Sequence, residues 1–372
     1  MQPTPSHCAV LWLFTLMIST ALTQLVIVAA HKFKLIAKPK ADRWHQTPTA
    51  LFGGVAIVTA FLLVSGCVLA RYMPPRSYEL VGLFVGGIFL FALGVRDDAI
   101  PLNPLVKLLG QVMSVTPFLI GMGLAHNSPL YVFAMPAVLL WMVALTNAFN
   151  LLDNMNGLSA GTAAAVSGVL SLYAFEHGDL LIGLFSALLS ACCLGFLYFN
   201  CRFATPARIF MGDCGSMFLG YMLAGLTILG VVRPQSAPLA SLTIPFLLMT
   251  LPIFDTLLVI VRRKQEGRAI SQGGKDHSSH RLVYSGLSQK QAVFALYTVS
   301  VLCGGIALLC ERLNHPVLLP MLVAGVAVSL WYFGVYLSRF PSPRPTKATP
   351  PLREASLDTT PLREANLDAK TT

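Results

Sequence analysis

Asp97 and Asp98 stand side by side in "GVRDDAIPLNPLVKLLGQ", which goes on to Lys107 and Gln111. A second polar cluster, "NAFNLLDNMNGLSAG" at 147–161, spaces Asn147, Asn150 and Asp153 three residues apart and adds Asn154 and Asn156. "RIFMGDCGSMFLGY" sets Asp213 in a glycine-flanked turn, and "GGKDHSSHRL" gathers Asp276, His277, His280 and Arg281. Asp255 stands alone in "LPIFDTLLVIVRRK". Burying a lone charge in such a run costs on the order of a few kcal/mol, so a partner, a proton or a metal is expected there.

Carboxylates suit Mg²⁺, a hard cation that takes oxygen ligands and bridges protein to substrate phosphates. The glycines around Asp213 would let backbone N–H groups meet an anion at a helix N-terminus. Arg and His can hold or neutralise phosphate oxygens. The set points to phosphoryl transfer with one substrate in water and the other in lipid, and spacing alone names neither. Each cluster also has a plainer explanation. Asp98 could be an interfacial charge, Asp213 a helix cap, the histidines solvated loop residues, and Asn147 an interhelical clamp.

Such residues need elements to hold them. The 372 residues are 55% hydrophobic and only 11% charged, with a mean hydropathy of +0.69. Soluble domains carry about 25% charged residues, so the composition is that of a polytopic membrane protein. A spanning helix needs about 20 mainly apolar residues. Eleven stretches qualify, at roughly 8–30, 51–70, 79–95, 104–124, 129–146, 158–175, 179–199, 216–232, 238–261, 292–311 and 315–338. Their apolar runs are continuous, which favours helices over barrel strands. The first reads as an uncleaved helix, because no basic residue precedes it and no A-x-A-like site is evident. Most of the eight cysteines lie inside the spans and read as small hydrophobes rather than disulfide or zinc partners.

Connections alternate sides. Those at 31–50, 96–103, 147–157, 200–215 and 262–291 carry fifteen Lys and Arg, against four in the other set. The first set is therefore expected in the cytosol, with the N-terminus outside and the C-terminus inside. The net charge of +10 is then topology, and nucleic-acid binding is not expected. The polar clusters all fall in the cytosolic set, which the charge count did not require. Residues 1–340 read as one membrane domain. The stretch 341–372 reads as a disordered cytosolic tail holding a near-duplicate, "TPPLREASLD" then "TTPLREANLD".

In order along the chain, "DRWHQTPTALFGG", "RDD…K…Q", "NAFNLLDNMNGLSAG", "FMGDCGSMFLG" and "PIFDT…DHSSHRL" match the motifs of a known family. Over about 31–290 the chain resembles the polyprenyl-phosphate N-acetylhexosamine-1-phosphate transferases of glycosyltransferase family 4. The likeness is to UDP-GlcNAc:undecaprenyl-phosphate GlcNAc-1-phosphate transferases, and more distantly to phospho-N-acetylmuramoyl-pentapeptide transferase. It implies an all-α integral enzyme of the bacterial inner membrane, working on its cytosolic face. UDP-N-acetylhexosamine and polyprenyl phosphate would give polyprenyl-diphosphate-HexNAc and UMP, starting a cell-envelope glycan such as lipopolysaccharide. The implied cofactor is Mg²⁺, with Mn²⁺ as substitute, held by Asp213 and Asn150. Asp97, Asp98 and Asp153 would be catalytic: Asp97 engages or deprotonates the lipid phosphate, Asp98 supports it, and Asp153 with Asn150 orients the nucleotide sugar. Lys107, Asn156, His277, His280 and Arg281 would bind substrate. The lipid bilayer is the remaining partner, and the oligomeric state, a homodimer included, stays open.

The chain departs from the family pattern at specific positions. Asp-Gly-x-Asp-Gly becomes Asp153-Asn154-Met155-Asn156-Gly157, and His-x-His-His becomes His277-Ser278-Ser279-His280. The first loop keeps Pro48 and Gly53-Gly54 but has Ala50-Leu51 where Pro-Arg is usual. A secondary transporter with an intramembrane Asp/Asn site is the rival reading, and Asp255 favours it. That reading expects a midplane site between internal repeats, and no repeat is evident.

Overall fold

The computed structural model describes residues 5–37, 48–75, 77–126, 130–201, 206–232, 238–269, 274–313 and 318–340. The tail with its near-duplicate and the 42–47 part of the first-loop motif lie outside the described residues.

Apolar runs of this length form helices because the helix bonds its own backbone N–H and C=O groups where no water can. In order they are α1 (Pro5–Lys32), α2 (Gly53–Tyr72), α3 (Tyr78–Ala99), α4 (Pro104–His126), α5 (Leu130–Leu152), α6 (Leu158–Glu176) and α7 (Leu180–Asn200). Then come α8 (Asp213–Val231), α9 (Pro238–Leu248), α10 (Thr250–Gln265), α11 (Ser278–Tyr284), α12 (Gln289–Leu313) and α13 (Leu318–Leu337). Among the described residues ten of these are long and apolar enough to cross a membrane, all but α9, α10 and α11. The chain is an all-α integral membrane protein.

The run at 238–261 is the one expected span that does not form a single helix. It breaks at Met249, between α9 and α10. Pro252 has no N–H to offer the Leu248 carbonyl, and its ring crowds that oxygen, so the helix bends there. Bonds on either side survive, Met249 N–H to Pro245 O at 3.0 Å and Ile253 N–H to Met249 O at 3.1 Å.

α8 is the hub. It is apolar all round and buried along nearly its whole length, with α2, α3, α5 and α6 packed about it. Its first turn is wedged between α2 and α3. A Cβ at Gly54 would lie 2.2 Å from Gly215 N, and one at Gly94 would lie 2.4 Å from Cys214 Cα. The outer helices turn side chains such as Phe14, Leu109, Phe133 and Trp331 outward, as a lipid surround requires.

One small sheet docks the turn before α8. β1 (Ile36–Ala37) pairs antiparallel with β2 (Thr49–Ala50), and Ala50 also bridges in parallel to Ile209. Ala50 N–H donates to Arg208 O at 3.2 Å. A proline at 50 would forfeit that bond, so the departure from the family pattern has a use. Gly53 and Gly54 donate to Phe210 O and Met211 O, each at 2.8 Å.

Candidate active site

The short turn between α3 and α4 folds Lys107 back over Asp97. Lys107 Nζ lies 2.9 Å from Asp97 Oδ2 and 3.3 Å from Asn150 Oδ1, and it pairs with Asp213 Oδ2. One ammonium thus gathers oxygens from the ends of α3, α5 and α8. Leu102 N–H fixes Asp97 from behind, donating to Oδ1 at 2.6 Å. Asn150 Nδ2 donates to Asp213 Oδ1 at 2.8 Å and to Ser216 Oγ at 3.0 Å. Its carbonyl therefore faces Lys107 while its amine holds Asp213. Two carboxylates and a carboxamide around one positive charge form the donor set that a hard divalent ion takes. Among the described residues no three Asp, Glu, His or Cys side chains close a metal cage.

Asp98 does a different job. Gly212 precedes α8 at φ 78°, a region open to glycine, and a Cβ there would lie 2.6 Å from Asp98 Oδ2. The Asp98 carboxylate accepts the N–H of Asp213 at 2.8 Å and of Cys214 at 3.0 Å. A carboxylate against the positive end of a helix is well placed. The expectation that these N–H groups would meet a substrate anion is therefore corrected. The protein's own carboxylate occupies them, and Asp213 presents its side chain instead.

Asn147, one turn before Asn150, exchanges bonds with buried Gln111. Gln111 Nε2 donates to Asn147 Oδ1 at 3.2 Å, and Asn147 Nδ2 donates to Gln111 Oε1 at 2.6 Å. That is the interhelical clamp, joining α4 to α5. Asp153 directly follows the last residue of α5 and still donates its N–H to Phe149 O at 3.2 Å. It sits half-buried in the turn. Burial first, then the charges of Asp213 and Asp98, push its carboxyl up to about 8. Asn156 is half-exposed in the same turn. The turn is pinned at Gly157, whose N–H donates to Asn200 Oδ1 at 2.6 Å and whose carbonyl accepts from the Tyr297 hydroxyl at 2.5 Å.

The fourth cluster forms where α11 meets α10. Asp255 has its partner: His277 Nδ1 lies 2.8 Å from Oδ2. Ser278 N–H and Oγ donate to Oδ1 at 2.7 and 2.6 Å. With Nδ1 so engaged, Nε2 is the ring nitrogen that His277 can offer a ligand. The ring of His280 stands 5.7 Å away, centre to centre. Burial, and then the repulsion of His277, lowers its imidazole to about 4, so it is neutral near pH 7. Burial alone would raise Asp276, but the Arg263 guanidinium outweighs it, with Nε and Nη2 each 2.8 Å from the carboxylate. Asp276 is held below the usual carboxylate range. Arg281 donates through Nε to Asp276 O at 3.0 Å and through Nη1 to Phe340 O at 3.2 Å. Those bonds tie α11 to the end of α13.

Asp97, Lys107, Asn150 and Asp213 thus form one cluster, with Asp98 behind it and Asp153 beside it. His277 and His280 form a second, and Arg281 is engaged with the backbone. A direct bond joins the turn after α5 to the loop bearing the second cluster, Ser279 Oγ donating to Asn154 Oδ1 at 2.6 Å. Ser216, Ser279, Asn200 and Arg263 were not singled out from sequence as site residues. The available signal was polarity inside or beside an apolar run.

The family model described as glycosyl transferase family 4 matches residues 80–231. A probable undecaprenyl-phosphate N-acetylglucosaminyl 1-phosphate transferase of Bacillus subtilis is 33% identical over 303 residues, covering 78% of this chain and 81% of that protein. A decaprenyl-phosphate N-acetylglucosaminephosphotransferase of Mycolicibacterium smegmatis is 32% identical, covering 73% of this chain and 74% of its own. A phospho-N-acetylmuramoyl-pentapeptide-transferase of Halalkalibacterium halodurans is 29% identical, covering 75% and 89%.

Proposed function

The chain belongs to glycosyl transferase family 4, and from that premise we propose that it transfers N-acetylhexosamine-1-phosphate from a UDP-sugar to polyprenyl phosphate, releasing UMP. GlcNAc-1-phosphate is the first choice of group and undecaprenyl phosphate of acceptor, as in the Bacillus relative's name. The reading places the site on the cytosolic face of a bacterial inner membrane, which the Lys and Arg bias supports. The observation that carries it is the Lys107 ammonium held by Asp97, Asp213 and Asn150 at the meeting point of three helix ends.

One phosphoanhydride replaces another, so catalysis rests on bringing two anions together and screening their repulsion. An oxygen of the lipid phosphate attacks the sugar-bearing phosphorus and UMP leaves. Asp97 receives the lipid phosphate and takes its proton if one is present. Lys107, already drawn toward Asp97, supplies positive charge where the two phosphates approach. Asn150 and Asp153 orient the nucleotide sugar, with Asn156 available from the same turn. His277 offers Nε2 to the diphosphate while Asp255 holds Nδ1, and His280 lies next to it. Asp213 and Asn150 would hold Mg²⁺, which when bound screens diphosphate charge as a Lewis acid.

The test is UMP release by detergent-purified protein given UDP-GlcNAc, undecaprenyl phosphate and Mg²⁺, with a chelator control and UDP-GalNAc in parallel. UMP that needs both the lipid and the divalent ion is expected. Silence across UDP-sugars with folded protein would overturn the reading.

A further inference from the structure

Two of the chain's departures from the family pattern touch each other. Asn154 stands where the pattern has glycine, and Ser279 where it has histidine. They lie 125 positions apart in sequence, yet Ser279 Oγ donates to Asn154 Oδ1 at 2.6 Å. Ser279 is fully buried, so this bond cannot be exchanged for one to water without opening the contact. Asn154 is itself aimed, because its Nδ2 donates to Leu151 O at 2.8 Å. That bond leaves Oδ1 directed at α11.

The two changes also balance in size. Glycine plus histidine and asparagine plus serine carry the same total of side-chain heavy atoms, and volume-conserving exchanges are the ones close packing tolerates. An imidazole at 279 would drive into the Asn154 amide. A glycine at 154 would leave the Ser279 hydroxyl buried without its acceptor.

We propose that Asn154 and Ser279 act as one latch that sets the turn bearing Asp153 and Asn156 in register with the turn bearing His277 and His280. The latch is a positioning device for the nucleotide sugar, which both turns address, and it rests on the reading given above. Asp153 adjoins Asn154 directly, and His280 adjoins Ser279, so a slip of the latch moves both substrate-facing groups at once. Neither latch residue faces the Lys107 cluster in any of its bonds.

The test is a double-mutant cycle in full-length protein: Asn154→Gly, Ser279→His and the pair together. It is read by thermal unfolding in detergent and by KM and kcat for UDP-GlcNAc. Ser279→Ala serves as the smallest deletion. Each single substitution is expected to raise KM about five- to tenfold with a much smaller change in kcat, the weight of one hydrogen bond. The pair is expected to return KM to within about threefold of wild type. Additive losses in KM would overturn the latch. So would coupling confined to unfolding temperature with KM unmoved, because the contact would then be structural only. A wild type that releases no UMP with any UDP-sugar would overturn the underlying reading, and the latch's substrate role with it. Active wild type with an additive cycle would overturn the latch alone.

Discussion

Asp97 and Asp98 are neighbours in the chain and opposites in use. Asp97 turns toward Lys107, whereas Asp98 spends both oxygens on the first N–H groups of α8. Their adjacency was legible in the sequence, but the division of labour was not, because it depends on Gly212 bringing α8 down onto one carboxylate only. Asp213→Asn should leave the protein folded, since Asp98 still caps α8, and should lower turnover about a thousandfold by removing charge from the Lys107 cluster. UMP release and size-exclusion behaviour check the two halves of that expectation. Asp98→Ala should do the reverse first, costing about 1–3 kcal/mol through the lost cap and two unsatisfied N–H groups. An unfolding temperature equal to wild type for Asp98→Ala would contradict the capping role.

At the scale of elements, the loop carrying α11 is held by three contacts: Asp255 with His277 and Arg263 with Asp276, both buried, and Ser279 with half-buried Asn154. Asp276→Ala takes the carboxylate of its ion pair from buried Arg263, and should cost about 3–5 kcal/mol. It should also release the loop to proteolysis. His280 gives the loop a pH signature. Its imidazole sits at about 4 in the fold against 6.5 for the free group. The unfolded chain therefore takes up that proton first, and stability is lost as pH falls from about 6.5 to about 4. His280→Asn should flatten that part of the acid slope in unfolding temperature, and parallel curves for the two proteins would argue against it. The lone Asp255 announced that a partner must exist, but which residue answers it needed the chain to return through α11. The break at Met249 was written in Pro252, yet the apolar run around it is long enough to read as one span.

Over the whole molecule, α8 sits at the centre and presents Asp213 at the end where α3, α4, α5 and α10 also deliver their polar residues. The helical class, the membrane setting and the gathering of motifs at one end follow from composition and from the alternation of loops. The pairing of remote residues does not, because nothing in spacing says that Lys107 meets Asn150 or that Asn154 meets Ser279. The transporter reading leaned on Asp255 as a midplane charge, and that carboxylate is taken up by His277 and Ser278 of a loop. On the proposed reading the site works where water meets lipid, and the central claim concerns which bond breaks. Transfer of the sugar alone would release UDP, whereas transfer of the sugar phosphate releases UMP. The decisive measurement follows UDP-GlcNAc labelled at the β-phosphate, with undecaprenyl phosphate and Mg²⁺. The account predicts label in the lipid product and unlabelled UMP in solution, both lost with Asp213→Asn. Label recovered in UDP, or equal turnover by Asp213→Asn, would contradict it.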